Sequence, residues 1–263
     1  MMQSERRQFL LEQLLALKTA DPTFKGDIQI PKNMGLQRQL LRTLMNEFAI
    51  SQLSKQFEIV HNDYLATLIK ENGITDVSDL IALKQDLYLW KGDVTTLKCD
   101  AIVCPTNSNL KGLRYPQKNK IDNAIHAFAG MRLKEDCEKL LNKLNGNVAM
   151  GQSVMTSAYN LPAKWILHTV CAIYNKQLSE QDSIDFANCH KNCLAQATHH
   201  RLKHIAFGLL DCIQHRSSKL KLARIAINAI LNYKKTTNNP IKVVLCATNE
   251  SDYEIFYQIL SNI

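Results

Sequence analysis

Apolar residues recur at helical spacing over the first eighty positions, and then the period changes. Phe9, Leu10, Leu14 and Leu17 share one helical face behind Ser4, a residue type that caps helix N-termini. Leu36, Leu40, Leu41, Leu44, Met45 and Phe48 predict a second helix. Tyr64, Leu65, Leu68 and Ile69 predict a third, ending near Asn72-Gly73, where glycine can take the left-handed turn that stops a helix. Asp76 to Leu83 predicts a short fourth. From there short apolar runs alternate with amphipathic stretches. Leu87–Trp90, Ala101–Cys104, Ser153–Thr156, Trp165–Val170, His204–Leu210 and Lys242–Cys246 predict strands. Residues 121–144, 184–200 and 218–235 and the segment Asp252–Leu260 predict helices. Strands alternating with helices imply an α/β sandwich with helices on both faces of a sheet. In such folds ligands sit in loops beyond the carboxyl ends of the strands.

Composition narrows the function classes. The chain has 263 residues, 46% hydrophobic and 21% charged, enough to bury a core. No apolar run approaches the roughly 20 residues of a membrane-spanning helix. The first residues lack the charged-then-apolar layout of an export signal. These features lead us to expect a cytoplasmic protein that does not enter membranes, and we expect a monomer. The eight cysteines show no framework spacing and read as reduced, buried thiols. Cys189-His190-x-x-Cys193 has the look of a metal pair, but its segment is helical and no second ligand pair accompanies it.

The net charge of +8 is unevenly spread. Residues 1–86 hold 10 Lys/Arg against 11 Asp/Glu, and the remainder 22 against 13. A basic excess favours anionic partners such as phosphates or nucleotides. Aromatic residues make up only 7% and are not interleaved with the basic loops, which argues against a nucleic-acid platform.

Three loops carry candidate chemistry. The first, Trp90-Lys91-Gly92-Asp93-Val94-Thr95, places a carboxylate at a turn after a strand. The second runs from Asp100-Ala101-Ile102-Val103-Cys104-Pro105-Thr106-Asn107-Ser108 to Ile121-Asp122-Asn123-Ala124-Ile125-His126-Ala127-Phe128-Ala129-Gly130. The third is Tyr159-Asn160-Leu161-Pro162-Ala163-Lys164-Trp165-Ile166-Leu167-His168-Thr169-Val170. In order and spacing these resemble the macrodomain family, whose pattern is G-D-I-T, D-A-I-V-N-A-A-N-S, D-N-x-I-H-x-x-A-G and Y-N-L-P-A-K-x-x-I-H-x-V. The helical N-terminal part and the Ile-Asp-Asn-Ala-Ile-His segment resemble the zinc-containing microbial subclass, whose members remove ADP-ribose from modified proteins. The resemblance implies a three-layer α/β/α sandwich with a mixed central sheet (residues 85–263), preceded by a helical extension (residues 1–84).

The resemblance also implies a site. Asp93 matches the aspartate that reads the adenine amine, and Val94 the adjacent aliphatic contact. Asn107 matches the asparagine at the distal ribose. Asp122 and Asn123 match the positions beside the reaction centre. The implied partner is ADP-ribose or a mono-ADP-ribosylated protein.

Three departures qualify this. The subclass holds zinc in a G-C-x-x-P-x-H-x-C loop. Here Leu113, Lys118 and Lys120 stand at the three ligand positions, so neither a metal nor any other cofactor is expected. The N-A-A-N turn is Cys104-Pro105-Thr106-Asn107, in which proline removes a backbone donor. The phosphate loop, S-T-G-[VI]-F in the family, is Asp211-Cys212-Ile213-Gln214-His215, without the glycine that lets amides approach a diphosphate.

Each candidate also has a structural role open to it. Asp93 can cap its turn, and Asp122 can cap a helix start. His126 and His168, in apolar surroundings, read as satisfied core histidines, and Tyr159–Pro162 as structural. Lys111, Arg114, Lys118, Lys120, Arg216, Lys219 and Lys221 could line one basic cleft or be scattered surface cations. The expectation is an ADP-ribose-recognising domain related to protein-ADP-ribose hydrolases, with Asn107 and Asp122 as catalytic candidates. The alternatives are a reader that binds without cleaving, and a scaffold that takes another anion through the basic cleft.

Overall fold

The computed structural model describes residues 1–84, 86–110, 121–171, 178–208, 216–238 and 240–262. Three helices open the chain: α1 (Gln3–Ala20), α2 (Met34–Glu47) and α3 (Lys55–Glu71). The N-cap of α1 is Met2, not Ser4, because Glu5 reaches back to accept from the Met2 amide at 2.7 Å. Asn33 and Ser54 cap α2 and α3 through their side chains. Gly73, at φ +83°, follows α3 as the sequence predicts. Leu10, Leu11, Leu14, Leu41, Leu44, Phe57, Val60 and Leu65 make a core shared by all three helices. Each large apolar side chain fully buried there contributes roughly 1.5–3 kcal/mol.

The short helix expected over Asp76 to Leu83 is instead a single 3-10 turn, Val77–Asp79, flanked by strands β1 (Thr75–Asp76) and β2 (Ala82–Lys84). Asp76 caps the turn by accepting from the Ser78 amide, so the local polar residues favour a turn over a continuing helix.

The remaining strands are β3 (Leu87–Lys91), β4 (Leu97–Lys98), β5 (Ala101–Thr106), β6 (Ser153–Ser157), β7 (Trp165–Val170), β8 (His204–Phe207) and β9 (Lys242–Ala247). Seven strands form one sheet in the order β2-β3-β9-β8-β5-β7-β6. The inner five run parallel, while β2 and β6 pair antiparallel at the edges, which makes the sheet mixed.

The helices of this part are α4 (Ile121–Ala129), α5 (Met131–Lys143), α6 (Glu180–His199), α7 (Arg216–Thr237) and α8 (Glu250–Ser261). Period-two alternation splits each central strand between two cores. Ala101, Val103, Val243 and Leu245 pack with Phe186, Leu194, Ile227 and Phe256 of α6, α7 and α8. Ile102, Cys104, Val244 and Cys246 pack with Ile125, Leu133, Cys137 and Leu141 of α4 and α5. The result is the three-layer sandwich the sequence predicts.

Two further expectations change. The helix predicted over 121–144 is two helices, broken at Gly130, whose φ is +97°. A Cβ there would lie 2.7 Å from His61 Cε1 and 3.0 Å from Leu65 Cδ1, so glycine is what lets α3 dock against the α4–α5 corner. The strand expected over His204–Leu210 is described as far as Phe207, and Leu209 and Leu210 lie outside the described residues. Among the described residues no helix is long and apolar enough to cross a membrane.

Candidate functional site

The sequence-predicted residues follow the carboxyl ends of parallel strands. Asp93 comes after β3 and caps the 3-10 turn Val94–Thr96. Its Oδ1 accepts from the Thr95 amide at 2.9 Å and the Thr95 hydroxyl at 2.7 Å. The residue itself is exposed. Asp93 therefore does cap its turn, and that bond orients its carboxylate without burying it. Val94 beneath it is 2% exposed and belongs to the core, which leaves its backbone as the part that faces the loop.

Asn107 follows β5 and is exposed, with its carbonyl accepting from the Leu110 amide at 3.1 Å in a tight turn. Pro105 lies inside β5, not in that turn. Among the described residues β8 pairs with β5 from Ala101 to Val103, so no described ladder bond to β8 needs a donor at Pro105.

Asp122 and Asn123, in the first turn of α4, are buried. The start of α4 is held from the N-terminal helices: Arg42 Nη2 on α2 donates to the Asn123 carbonyl at 2.5 Å. The corner after α4 is held too, since Asn160 Nδ2 donates to the Ala129 carbonyl at 2.9 Å and to Asn62 at 3.1 Å. The Tyr159–Pro162 segment is thus structural.

Below Asp122 lies a buried polar cluster that links α4 to the sheet. Cys104 on β5 is the register partner of His168 on β7. The Cys104 thiol donates to Asp122 Oδ1 at 3.6 Å. His126 Nε2, one helical turn along, sits 3.4 Å from the same oxygen but off the line of a hydrogen bond. His168 Nε2 pairs with Thr156 Oγ1 at 2.8 Å. Burial pushes the Cys104 thiol well above its ordinary value, and the charge of Asp122 adds to this. Burial pulls His126 down, and takes His168 down to about 3 with help from neighbouring His126. At neutral pH the cluster holds a thiol and two neutral imidazoles.

Reading the two histidines as satisfied core residues is therefore only half right. His168 is buried in the core and His126 is half-buried at its edge, yet His126 Nε2 and His168 Nδ1 have no hydrogen-bond partner among the described residues. The i, i+4 spacing of Asp122 and His126 was visible in the sequence, but the strand register that adds Cys104 and His168 was not. Cys189, His190 and Cys193, by contrast, are ordinary packing on α6. His190 Nδ1 bonds to the Phe186 carbonyl at 2.9 Å, and the Cys193 thiol donates to Ser153 Oγ at 3.4 Å.

Comparison with known proteins agrees with this architecture. The family model for the Macro domain matches residues 103–226. A protein-ADP-ribose hydrolase from Treponema medium is 36% identical over 265 residues, covering 99% of this chain and all of that protein. A protein-ADP-ribose hydrolase from Staphylococcus aureus (strain MSSA476) is 33% identical, covering 83% of this chain and 82% of the other. Among solved structures, a mutant Oceanobacillus iheyensis macrodomain with ADPR superposes with a TM-score of 0.58 at 29% identity, covering 67% of this chain and 92% of that one. The chain belongs to the macrodomain family.

The zinc of the resembling subclass does not fit this macrodomain. Leu113 offers no donor, and the ammonium groups of Lys118 and Lys120 repel a cation. That loop, with Lys111 and Arg114, lies outside the described residues, as do the phosphate loop 211–215 and the side chain of Arg216. Of the cations expected along the basic cleft, Lys219 is already engaged: its Nζ bonds both oxygens of buried Asp252 at 2.7 Å. Lys221 is exposed.

Proposed function

We propose that this macrodomain binds ADP-ribose and releases it from mono-ADP-ribosylated proteins. The observation that carries the reading is likeness over the whole chain, extension included, to a protein named protein-ADP-ribose hydrolase. The geometry supports it. Asp93 holds an exposed carboxylate in a fixed orientation, suited to accept from an exocyclic amine of adenine, with the Val94 backbone beside it. Exposed Asn107 offers an amide to the distal ribose hydroxyls. Asn123, anchored through its carbonyl by Arg42, fixes the opening turn of α4 next to that ribose.

Cleavage of the glycosidic bond builds positive charge on the ribose. A nearly buried carboxylate stabilises that charge more than an exposed one would, because little water screens it. Asp122 is such a group, and Asn107 positions the attacking water. A mono-ADP-ribosylated protein incubated with the purified chain should release free ADP-ribose, and Asp122→Ala should abolish the release while ADP-ribose still binds. Binding without release by the unaltered protein would favour the second reading, a reader that does not cleave. The specific observation for that reading is the Cys104-Pro105-Thr106 replacement ahead of Asn107. No binding at all, with the fold intact, would leave the basic loops to another anion.

A further inference from the structure

The cluster beneath α4 has a second meaning. Cys104 and His168 are register partners on β5 and β7, so both face α4, and His126 comes down from that helix. The Cys104 sulfur and one ring nitrogen from each histidine all lie within 4.8 Å of one another. Two buried ring nitrogens at this place, His126 Nε2 and His168 Nδ1, have no hydrogen-bond partner among the described residues. Buried polar atoms without partners are destabilising, and two beside a buried thiol call for a physical reason.

We propose that Cys104, His126 and His168 bind a borderline-soft divalent transition-metal ion of the zinc class. A tetrahedral zinc site with sulfur and nitrogen ligands has edges of about 3.3–3.6 Å, so the three ligand atoms need to close by at most about 1.5 Å from the 4.8 Å limit. Asp122 Oδ1 lies beside them, 3.6 Å from Cys104 Sγ and 3.4 Å from His126 Nε2.

The surroundings fit as well. Thr156 Oγ1 at 2.8 Å can accept the proton of His168 Nε2, which leaves the lone pair on Nδ1 for the ion. Ligation converts the thiol to a thiolate and releases its proton, while the imidazoles, already neutral, lose none. A dication with one thiolate leaves one positive charge, which the Asp122 carboxylate beside Cys104 offsets without ligating the ion. A thiolate with two imidazoles selects zinc-like ions over magnesium or calcium, which prefer all-oxygen shells. His126 also lines a cavity of about 370 Å³ between α4, α5 and the N-terminal helices. Cys104 stands where the family pattern has asparagine, and none of the three ligands belongs to the 112–120 loop.

The test is a cobalt titration of the full chain after stripping with a chelator. The account expects about one Co²⁺ per chain, with a thiolate-to-cobalt charge-transfer band and tetrahedral d–d bands. Zn²⁺ should bleach these bands and Mg²⁺ should not. Cys104→Ser should abolish the charge-transfer band, and His126→Gln should weaken cobalt binding by at least about 10-fold. Folded wild-type protein that takes up no cobalt, or a band that survives Cys104→Ser, would overturn the proposal. If Cys104→Ser does not fold, His126→Gln decides: unchanged cobalt affinity would overturn it equally.

Discussion

Asp93 and Asp122 are both carboxylates beyond the carboxyl ends of parallel strands, yet they are built in opposite ways. Asp93 is exposed, and its carboxylate accepts from Thr95, two residues away. Asp122 is 8% exposed and depends on distant chain: Cys104 on β5, and α2, whose Arg42 secures the next residue. The first is a local turn that any scaffold could carry. The second exists only when sheet, α4 and N-terminal helices are assembled. Changes near Asp93 should therefore alter ligand affinity and little else, whereas changes around Asp122 should alter stability and chemistry together.

The largest effect expected from this contrast is at the joint between α3 and α4–α5. Gly130→Val forces a branched residue into φ +97° and into His61 and Leu65. It should cost about 3–5 kcal/mol in urea unfolding. A cost under about 1 kcal/mol would mean that the extension is loosely docked.

Acid should come next. His61, His168 and His190 are buried, and burial takes them down to about 4, about 3 and about 4. Their folded values lie below the unfolded one, so the unfolded chain binds more protons as pH falls below about 6.5. Stability from these groups is fully present above that pH and is lost on descending toward 4, by roughly 1–2 kcal/mol per histidine at pH 5. Chemical denaturation at pH 7.5 and 5 measures this, and a flat profile would contradict the burial of these rings.

Asp93→Ala should follow, weakening ADP-ribose binding by roughly 10–100-fold through loss of a charge-assisted hydrogen bond, with about 1 kcal/mol of stability lost from its turn. Arg42→Met is the mildest: about 1–2 kcal/mol of stability, and a greater loss of hydrolytic rate than of ADP-ribose affinity. Equal losses of rate and affinity would erase the distinction between the two regions.

What the sequence revealed follows the same divide. The short apolar runs at Ala101–Cys104 and Lys242–Cys246, the Asn72-Gly73 stop and the Asp93 turn are local patterns, and they were readable without a structure. The break at Gly130 was not, because glycine in an otherwise amphipathic stretch is ambiguous until α3 is seen packed against it. The strand over Ala82–Lys84 was hidden by its length of three residues and its exposed edge position. The joining of Cys104 to His168 needs the register of β5 on β7, and the role of Arg42 spans 81 positions, so no periodicity reports either.

The most direct test of the central claim is calorimetric titration of the metal-assayed protein with ADP-ribose. The account predicts micromolar binding with no metal in the 112–120 loop, strongly reduced by Asp93→Ala. Absence of binding to folded protein, or binding indifferent to Asp93, would contradict it.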